Sequence, residues 1–240
     1  MDVYSRTRSL LGEERFDQLR RLRVMVVGVG GVGSHAAQAL AHMGVGHLHL
    51  VDHDVIDITN ANRHVQAQKR RITQPKVLAL KSHLEETFDE LSISTTRAYF
   101  SEETRYLLDE PVDIILECID HLQAKILLIQ EAQRRDIPIL SAMGMGNRVD
   151  PSKLFFTTLY ESRGCPLARR LRKEARLLQL KDIPVIMSSE IAAKTVVESE
   201  AVRHAPASCY LVPAACGNMM AYYVLDRFTT ASTKTSTPTR

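Results

Sequence analysis

The sequence predicts an α/β fold with a doubly wound, mostly parallel sheet. Apolar, strand-like runs alternate with helical stretches along most of the chain, and the connections between them are short. One such run, at residues 24–29, meets a glycine-rich turn and then a helix-like stretch. Strands and helices that alternate in this way form parallel sheets with helices on both faces.

Each element follows from its local pattern. Residues 12–21 predict a short polar helix, residues 23–28 a buried β-branched strand, and residues 34–44 a helix of small side chains. The same reasoning predicts further strands over 47–52, 92–100, 111–120, 137–144, 153–161 and 182–190. It predicts further helices over 74–88, 121–136 and 165–180, and a strand end, a turn and a buried helix within 209–228.

We expect one domain over residues 1–228. Its first half, at about 20–150, carries the alternating pattern, and the portion at about 151–228 extends the sheet. Residues 192–207 have no clear period and predict a loop. Residues 229–240 are rich in Ser and Thr with almost nothing to bury, so we expect a disordered tail.

The composition is that of an ordinary globular protein. Its 240 residues are 45% hydrophobic and 25% charged, and the net charge of +3 with a pI near 8.7 permits a polyanionic partner without requiring one. The N-terminus lacks a secretory pattern, and no apolar run reaches the ~20 residues that a membrane span needs. We therefore expect a cytoplasmic protein with no membrane association.

The four cysteines form no C-x-x-C pair, so no structural zinc is expected. Cys118, Cys209 and Cys216 lie in apolar runs and are expected in the core. Cys165 follows a polar stretch and is expected to be the exposed cysteine.

A strand that runs into G-x-G-G-x-G and a helix is typical of a Rossmann-like nucleotide site. Gly28, Gly30, Gly31 and Gly33 allow phosphates to approach the backbone near a helix N-terminus. Asp52 ends the second strand, where a carboxylate can accept from ribose hydroxyls. This motif leaves NAD, FAD and ATP open, and a tight turn without a ligand is the alternative.

Polar residues after the second strand narrow that choice. Asn60, Asn62, Arg63 and Lys76 bring two cations and amide donors to the same end of the sheet, which suits a triphosphate; a solvated loop is the alternative. Asp120 ends an apolar strand at this edge. A carboxylate facing a polyphosphate needs a bridging cation, so Asp120 is a candidate Mg²⁺ ligand, or otherwise a helix N-cap.

Five segments together resemble the adenylating superfamily of ubiquitin- and sulfur-carrier-activating enzymes. They are GVGGVG from Gly28, DHD from Asp52 to Asp54, TNANR from Thr59, QPK from Gln74 and CID from Cys118.

The resemblance implies a role for each matched residue. The glycine loop would hold ATP and Asp52 its ribose, with Asp54 in the same cofactor-binding set. Asn60, Arg63 and Lys76 would hold the phosphates, and Asp120 would bind Mg²⁺. SRTRSLLG resembles an N-terminal segment whose arginine, here Arg6, reaches the ATP of the partner subunit, which implies a homodimer.

A narrower resemblance is to the tRNA threonylcarbamoyladenosine dehydratase branch. It rests on five further segments: RTRSLLG from Arg6, SAMGMGNRVDP from Ser141, CPLAR from Cys165, VIMSSE from Val185 and YLVP from Tyr210. Members activate the threonyl carboxylate of the modified adenosine as an acyl adenylate, and ring closure then expels AMP. Two departures stand out: His64 replaces the Gln of a common N-R-Q, and Cys165 replaces a common Asp.

A basic helix offers a tRNA contact. Its cations recur at helical spacing, so they can form a ridge that binds phosphates, and a solvated helix face is the alternative. The ridge consists of Arg169, Arg172, Lys173 and Arg176.

Three other functions stay open at this point. Activation of a ubiquitin-like carrier, with or without a sulfur-relay partner, uses the same adenylate chemistry. A nicotinamide dehydrogenase would have no use for Arg63, Lys76 or Asp120. A non-enzymatic nucleotide-binding adaptor is the third.

Overall fold

A computed structural model describes residues 2–194 and 206–229. Its strands are β1 (Arg23–Val27), β2 (His47–Val51), β3 (Ser92–Thr96), β4 (Ile114–Glu117), β5 (Ile139–Ala142), β6 (Leu154–Thr158) and β7 (Pro184–Ser188). They form one seven-stranded sheet in the order β3-β2-β1-β4-β5-β7-β6. All neighbours pair in parallel except β6 and β7, which are antiparallel. The predicted doubly wound sheet with a C-terminal extension is confirmed.

The helices connect and cover these strands. They are α1 (Ser5–Leu11), α2 (Glu13–Arg21), α3 (Gly31–Met43), α4 (Lys76–Glu85), α5 (Leu122–Arg134), α6 (Pro166–Leu177) and α7 (Leu211–Phe228). Short 3-10 helices lie at Ile58–Asn60, Lys69–Arg71, Glu102–Leu108 and Pro151–Lys153. In the described ranges no helix is both long and apolar enough to cross a bilayer.

Alternate side chains of each strand enter separate cores on the two sheet faces. Val24 and Val26 pack with α2, α3, α4 and α7 on one face, whereas Met25 and Val27 pack with α5 and α6 on the other. This two-residue alternation is the normal consequence of strand geometry. Burial on both faces explains why the strands read as continuous apolar runs.

The site's location follows from the order of the strands. The chain moves from β1 to β2 and β3 on one side, and β4 begins the second half on the other side of β1. Open α/β sheets bind ligands outside the carboxyl ends of their strands, at this switch point. The loops after β1 and β4 should therefore form the walls of the site.

Two elements differ from their sequence prediction. The stretch 209–228 was predicted to contain a strand end and a turn, but residues 211–228 form the single helix α7. Pro213 lies in the first turn of α7, where its missing N–H costs nothing. Helix α1 was not predicted. The predicted loop at 192–207 lies mostly outside the described residues, and the predicted tail at 229–240 lies outside them except for Thr229.

Candidate nucleotide-binding and adenylation site

The glycine loop is packed too tightly for side chains at two of its positions. A Cβ on Gly28, whose φ is +89°, would lie 2.8 Å from the carbonyl oxygen of Cys118 in the loop after β4. A Cβ on Gly33 would lie 1.8 Å from the carbonyl oxygen of Gly28. Gly30 differs, because the nearest atoms to its missing side chain are 3.8 Å away, on the His64 ring. The loop leads directly into α3, whose first N–H groups favour an anion.

Asp52 organises the backbone beside this loop. Its carboxylate accepts from the Val29 N–H at 2.8 Å and from the Asp54 N–H at 2.9 Å, and the residue as a whole is only 9% exposed. A carboxylate can accept about four hydrogen bonds, so these two leave lone pairs for ribose hydroxyls.

Asp54 and Lys76 form an ion pair across the β2–α4 loop. The Lys76 ammonium donates to the Asp54 carboxylate at 2.6 Å, and Lys76 is largely buried. Burial alone would raise the pKa of the Asp54 carboxyl, but the hydrogen bond and charge of Lys76 outweigh it and lower that pKa. Asp54 therefore stays ionised and holds the ammonium group near the start of α4.

Arg63 is fixed by neutral oxygens. Its guanidinium donates to the Thr59 carbonyl and the Asn62 side chain, both at 2.9 Å. Its own carbonyl accepts from His35 Nε2 at 3.1 Å, which ties this segment to α3. Since no carboxylate neutralises Arg63 within the described part of the chain, its charge is available to an anion.

Asn60 contributes to the local fold instead of pointing freely into the site. Its side-chain oxygen accepts from the Asp57 N–H at 3.1 Å and completes a capping box on the short helix that it ends. The residue is buried at 9% exposure. Its phosphate-binding role stays a prediction.

Asp120 is the least constrained carboxylate at this edge. It is exposed and hydrogen-bonds to no residue that the structure describes. Asp52, His53 and Asp54 also bring ligand atoms within 4.8 Å of one another. Their carboxylates are already bonded to N–H groups and Lys76, so Asp120 fits Mg²⁺ better.

A group of three rings to which the sequence reasoning gave no role centres on Tyr99, which is close enough to Asp120 to feel its charge. The Tyr99 ring contacts His53 and His121, with centroids 5.3 and 5.6 Å away, and its hydroxyl hydrogen-bonds to His121 Nδ1. Desolvation and then the charge of Asp120 raise the pKa of Tyr99. These residues follow β2, β3 and β4, so the ends of neighbouring strands could have suggested the group.

A buried ion pair holds the loop between β4 and Asp120 in place. Glu117 and Lys125 are both fully buried and bonded to each other. Glu117 also accepts from the Ile119 N–H at 2.7 Å, while Lys125 donates to the Ala142 carbonyl at 2.9 Å and to Ser141 at 3.2 Å. The pair therefore ties the loop after β4 to the end of β5.

Arg6 lies far from this edge within its own chain. It is exposed on α1, which is anchored by Tyr4 stacking on Phe88 with centroids 5.8 Å apart. Phe88 follows the C-terminal end of α4, whereas Lys76 begins that helix. About 15 Å of helix therefore separates the anchor of α1 from the site.

The predicted basic ridge is divided by the structure. Arg172 is half-buried and donates to the Ser162 carbonyl and hydroxyl at 2.5 and 2.6 Å, so it has a structural partner. Arg176 lies over the Tyr160 ring at 5.4 Å. Arg169 and Lys173 are exposed on the same helix.

The cysteines are not arranged as nucleophiles. Cys165 was expected to be exposed and is instead 5% exposed, because it begins α6 against Gly144, where its Sγ would lie 3.5 Å from an added Cβ. Burial raises the pKa of Cys216 to about 12 and that of Cys118 well above its usual value. Cys216 is in the core as expected, whereas Cys118 and Cys209 are only partly buried.

Comparison with known proteins decides the family. The sequence pattern of the ThiF family matches residues 4–239. The chain belongs to the ThiF family. The resemblance to adenylating enzymes that the motifs indicated is thereby confirmed.

Two curated relatives of this ThiF-family chain carry one activity in their names. The tRNA threonylcarbamoyladenosine dehydratase of Bacillus subtilis (strain 168) is 32% identical over 235 residues, which are 92% of each chain. The enzyme of the same name from Escherichia coli (strain K12) is 28% identical over 77% of this chain and 68% of its own length.

The fold is shared with a solved enzyme complex. The crystal structure of E. coli tRNA N6-threonylcarbamoyladenosine dehydratase with ATP superposes with a TM-score of 0.86, over 94% of this chain and 93% of that one. Because the two sequences are 24% identical, we take this structural similarity as evidence for a shared fold.

Proposed function

We propose that this chain dehydrates N6-threonylcarbamoyladenosine in tRNA to its cyclic form, using ATP. One combination carries the proposal. The glycine loop, Arg63, Lys76 and Asp120 lie in or directly after the loops that follow β1, β2 and β4, at the switch point of the sheet, and the chain matches a dehydratase over 92% of its length. A hydride-transfer enzyme would not need this excess of phosphate-binding charge. We also propose that the protein acts in the cytoplasm, where tRNA is available as a substrate.

The reaction needs ATP because a carboxylate is a poor electrophile. A threonyl carboxylate oxygen attacks the α-phosphorus of ATP, a P–O bond breaks, and pyrophosphate leaves. A nitrogen or oxygen of the same nucleoside then attacks the acyl carbon, loses its proton, and AMP leaves with the former carboxylate oxygen. The net loss from the nucleoside is one water. Ring closure is intramolecular, and such orientation is worth up to about 7–11 kcal/mol.

Different residues of the site bind the nucleotide, neutralise its phosphate charge and hold the metal ion. Asp52 and the glycine loop bind the nucleoside and its phosphates, while Arg63 and Lys76 offset the charge that grows on the leaving pyrophosphate. Asp120 would hold Mg²⁺, which neutralises phosphate charge when bound. The raised pKa of Cys118, the cysteine nearest to Asp120 in the sequence, argues against that thiol as a nucleophile.

Arg6 completes the site from a second subunit in this proposal. Its guanidinium has no partner among the described residues, and its helix is anchored about 15 Å from the site of its own chain. An arginine supplied in trans would stabilise the same transition-state charge as Arg63. The proposed active form is therefore a homodimer.

The exposed part of the basic ridge serves the tRNA. Arg169, Lys173 and Arg176 contact backbone phosphates without reading bases, whereas Arg172 holds Ser162. A double change of Lys173 and Arg176 to Glu should weaken tRNA binding and leave ATP binding intact. Unchanged tRNA affinity would remove the ridge from the proposal.

The decisive experiment is incubation with ATP, Mg²⁺ and tRNA that carries the open modification. Mass spectrometry of the digested nucleosides should show the loss of one water, with one AMP formed per cyclised nucleoside. A parallel arm supplies a ubiquitin-like carrier ending in Gly-Gly and measures pyrophosphate exchange. Exchange with the carrier and an unchanged nucleoside mass would replace the proposal with carrier activation.

A further inference from the structure

The His64 ring lies against the one glycine of the loop that has space beside it. His64 is 7% exposed, and its Cε1 and Nε2 lie 3.8 Å from where a Gly30 Cβ would be. The backbone on either side is fixed, because His64 N–H donates to the Asn60 carbonyl at 2.9 Å and Val65 N–H donates to Ser34 Oγ at 3.3 Å. The ring is thus placed at the loop by its surroundings.

Neither ring nitrogen of His64 has a hydrogen-bond partner among the described residues. Nδ1 is fully buried and unpaired. Of the two nitrogens, Nε2 is the one on the Gly30 side, so it is the nitrogen that a nucleotide in the loop can pair with. A neutral ring carries one proton, and placing it on Nε2 leaves an acceptor at buried Nδ1 and directs the N–H toward the Gly30 side.

The surroundings of His64 keep the ring neutral. Burial lowers its pKa to about 3, helped by the charges of Lys76, Arg63 and His35 and opposed by Asp54. These groups come from α4, the segment of His64 itself, α3 and the loop after β2. A neutral donor adds a hydrogen bond for an anion without a third cation that Lys76 and Arg63 would repel.

We propose that His64 binds the nucleotide directly, with its Nε2–H donating a hydrogen bond to the phosphate chain in the glycine loop. The inference rests on the proposed ATP chemistry at this edge. Glutamine, the residue expected at this position from the superfamily pattern, also carries an N–H donor, so His64→Gln is the conservative replacement.

The test compares ATP with adenosine, which lacks the phosphates. Calorimetry should show that His64→Leu, which keeps apolar bulk but no donor, weakens ATP binding by roughly 10- to 100-fold. Adenosine affinity should not change, and His64→Gln should bind ATP within about threefold of the wild-type protein. His83→Leu is the matched control, because His83 also has an unpaired buried Nδ1 but lies on α4, seven residues beyond Lys76.

A readout without substitution covers the case in which His64→Leu fails to fold. With ¹⁵N-labelled histidine, Nε2 of His64 should shift on addition of ATP and not on addition of adenosine, while the His83 signals stay in place. An unmoved Nε2 signal, or equal losses of ATP and adenosine affinity in His64→Leu, overturns the inference and leaves the proposed function standing. Wild-type protein that binds no ATP overturns both.

Discussion

Among the ion pairs of the described residues, Glu117 and Lys125 form the pair with both side chains fully buried, so the fold should be sensitive to loss of either partner. Both side chains have 0% exposure, and all three ammonium donors of Lys125 are used, by Glu117, Ser141 and the Ala142 carbonyl. Lys125→Met removes that cation and leaves the Glu117 carboxylate with only the Ile119 N–H and the Ser141 hydroxyl. Breaking a buried pair in this way costs about 3–5 kcal/mol.

A double substitution separates charge from packing. Glu117→Gln in the Lys125→Met background removes the uncompensated charge, and the amide oxygen can still accept from the Ile119 N–H. We expect the double variant to recover about half or more of the lost stability, since neutral hydrogen bonds are worth only about 1 kcal/mol each. The two positions should therefore be strongly non-additive.

Urea unfolding at pH 7, monitored by far-UV circular dichroism, measures the free energy of unfolding of each variant. Tryptophan fluorescence is no option, because the sequence contains no tryptophan. A loss below about 1 kcal/mol for Lys125→Met would refute the reasoning. So would a double variant no more stable than Lys125→Met alone, because the cost would then not come from an unpaired charge.

Three further predictions concern the site. Asp120→Ala and Arg6→Ala should each abolish cyclisation when every dimer carries the same variant. Mixing the two variants should restore about a quarter of wild-type activity, because half of the dimers then carry one intact site of two. If mixing restores no activity, Arg6 does not act in trans. In the folded protein the pKa of His64 is about 3, below its unfolded value of about 6.5. As the pH falls below 6.5, the unfolded state gains a proton that the folded state does not, so the free energy of unfolding decreases. At pH 5 the wild-type protein should have lost about 2 kcal/mol more than His64→Gln, by urea unfolding. Asp54→Asn should raise the KM for ATP because it frees Lys76, and an unchanged KM would show that Lys76 needs no such anchor.

Local pattern was enough to predict most of the sheet. Strands such as β1 and β4 are continuous apolar runs because both of their faces are buried. Gly28 and Gly33 mark the loop because no side chain fits there. These signals depend on residues close together in the sequence, so a single sequence contains them.

The sequence predictions that proved wrong depend on packing between residues far apart in the sequence. A turn was predicted within 209–228, yet Gly217 lies inside the continuous helix α7, where a Cβ would be 2.6 Å from the Val32 carbonyl of α3. The glycine therefore permits close approach of two helices and does not end one. Cys165 looked exposed beside Arg163 and Gly164, but α6 brings it against Gly144. In each case the deciding neighbour is more than 20 residues away in the sequence.

The charges at the site are arranged so that a nucleotide can bind without leaving a charge unpaired. Arg63 is held by neutral oxygens, so a phosphate can replace weak partners with a strong one. Lys76 already has Asp54, and its three donors allow it to keep that partner while it contacts a phosphate. His64 stays neutral between them. Asp120, which has no partner in the described ranges, would repel the phosphates by itself, and this imbalance is what a bound divalent cation would correct.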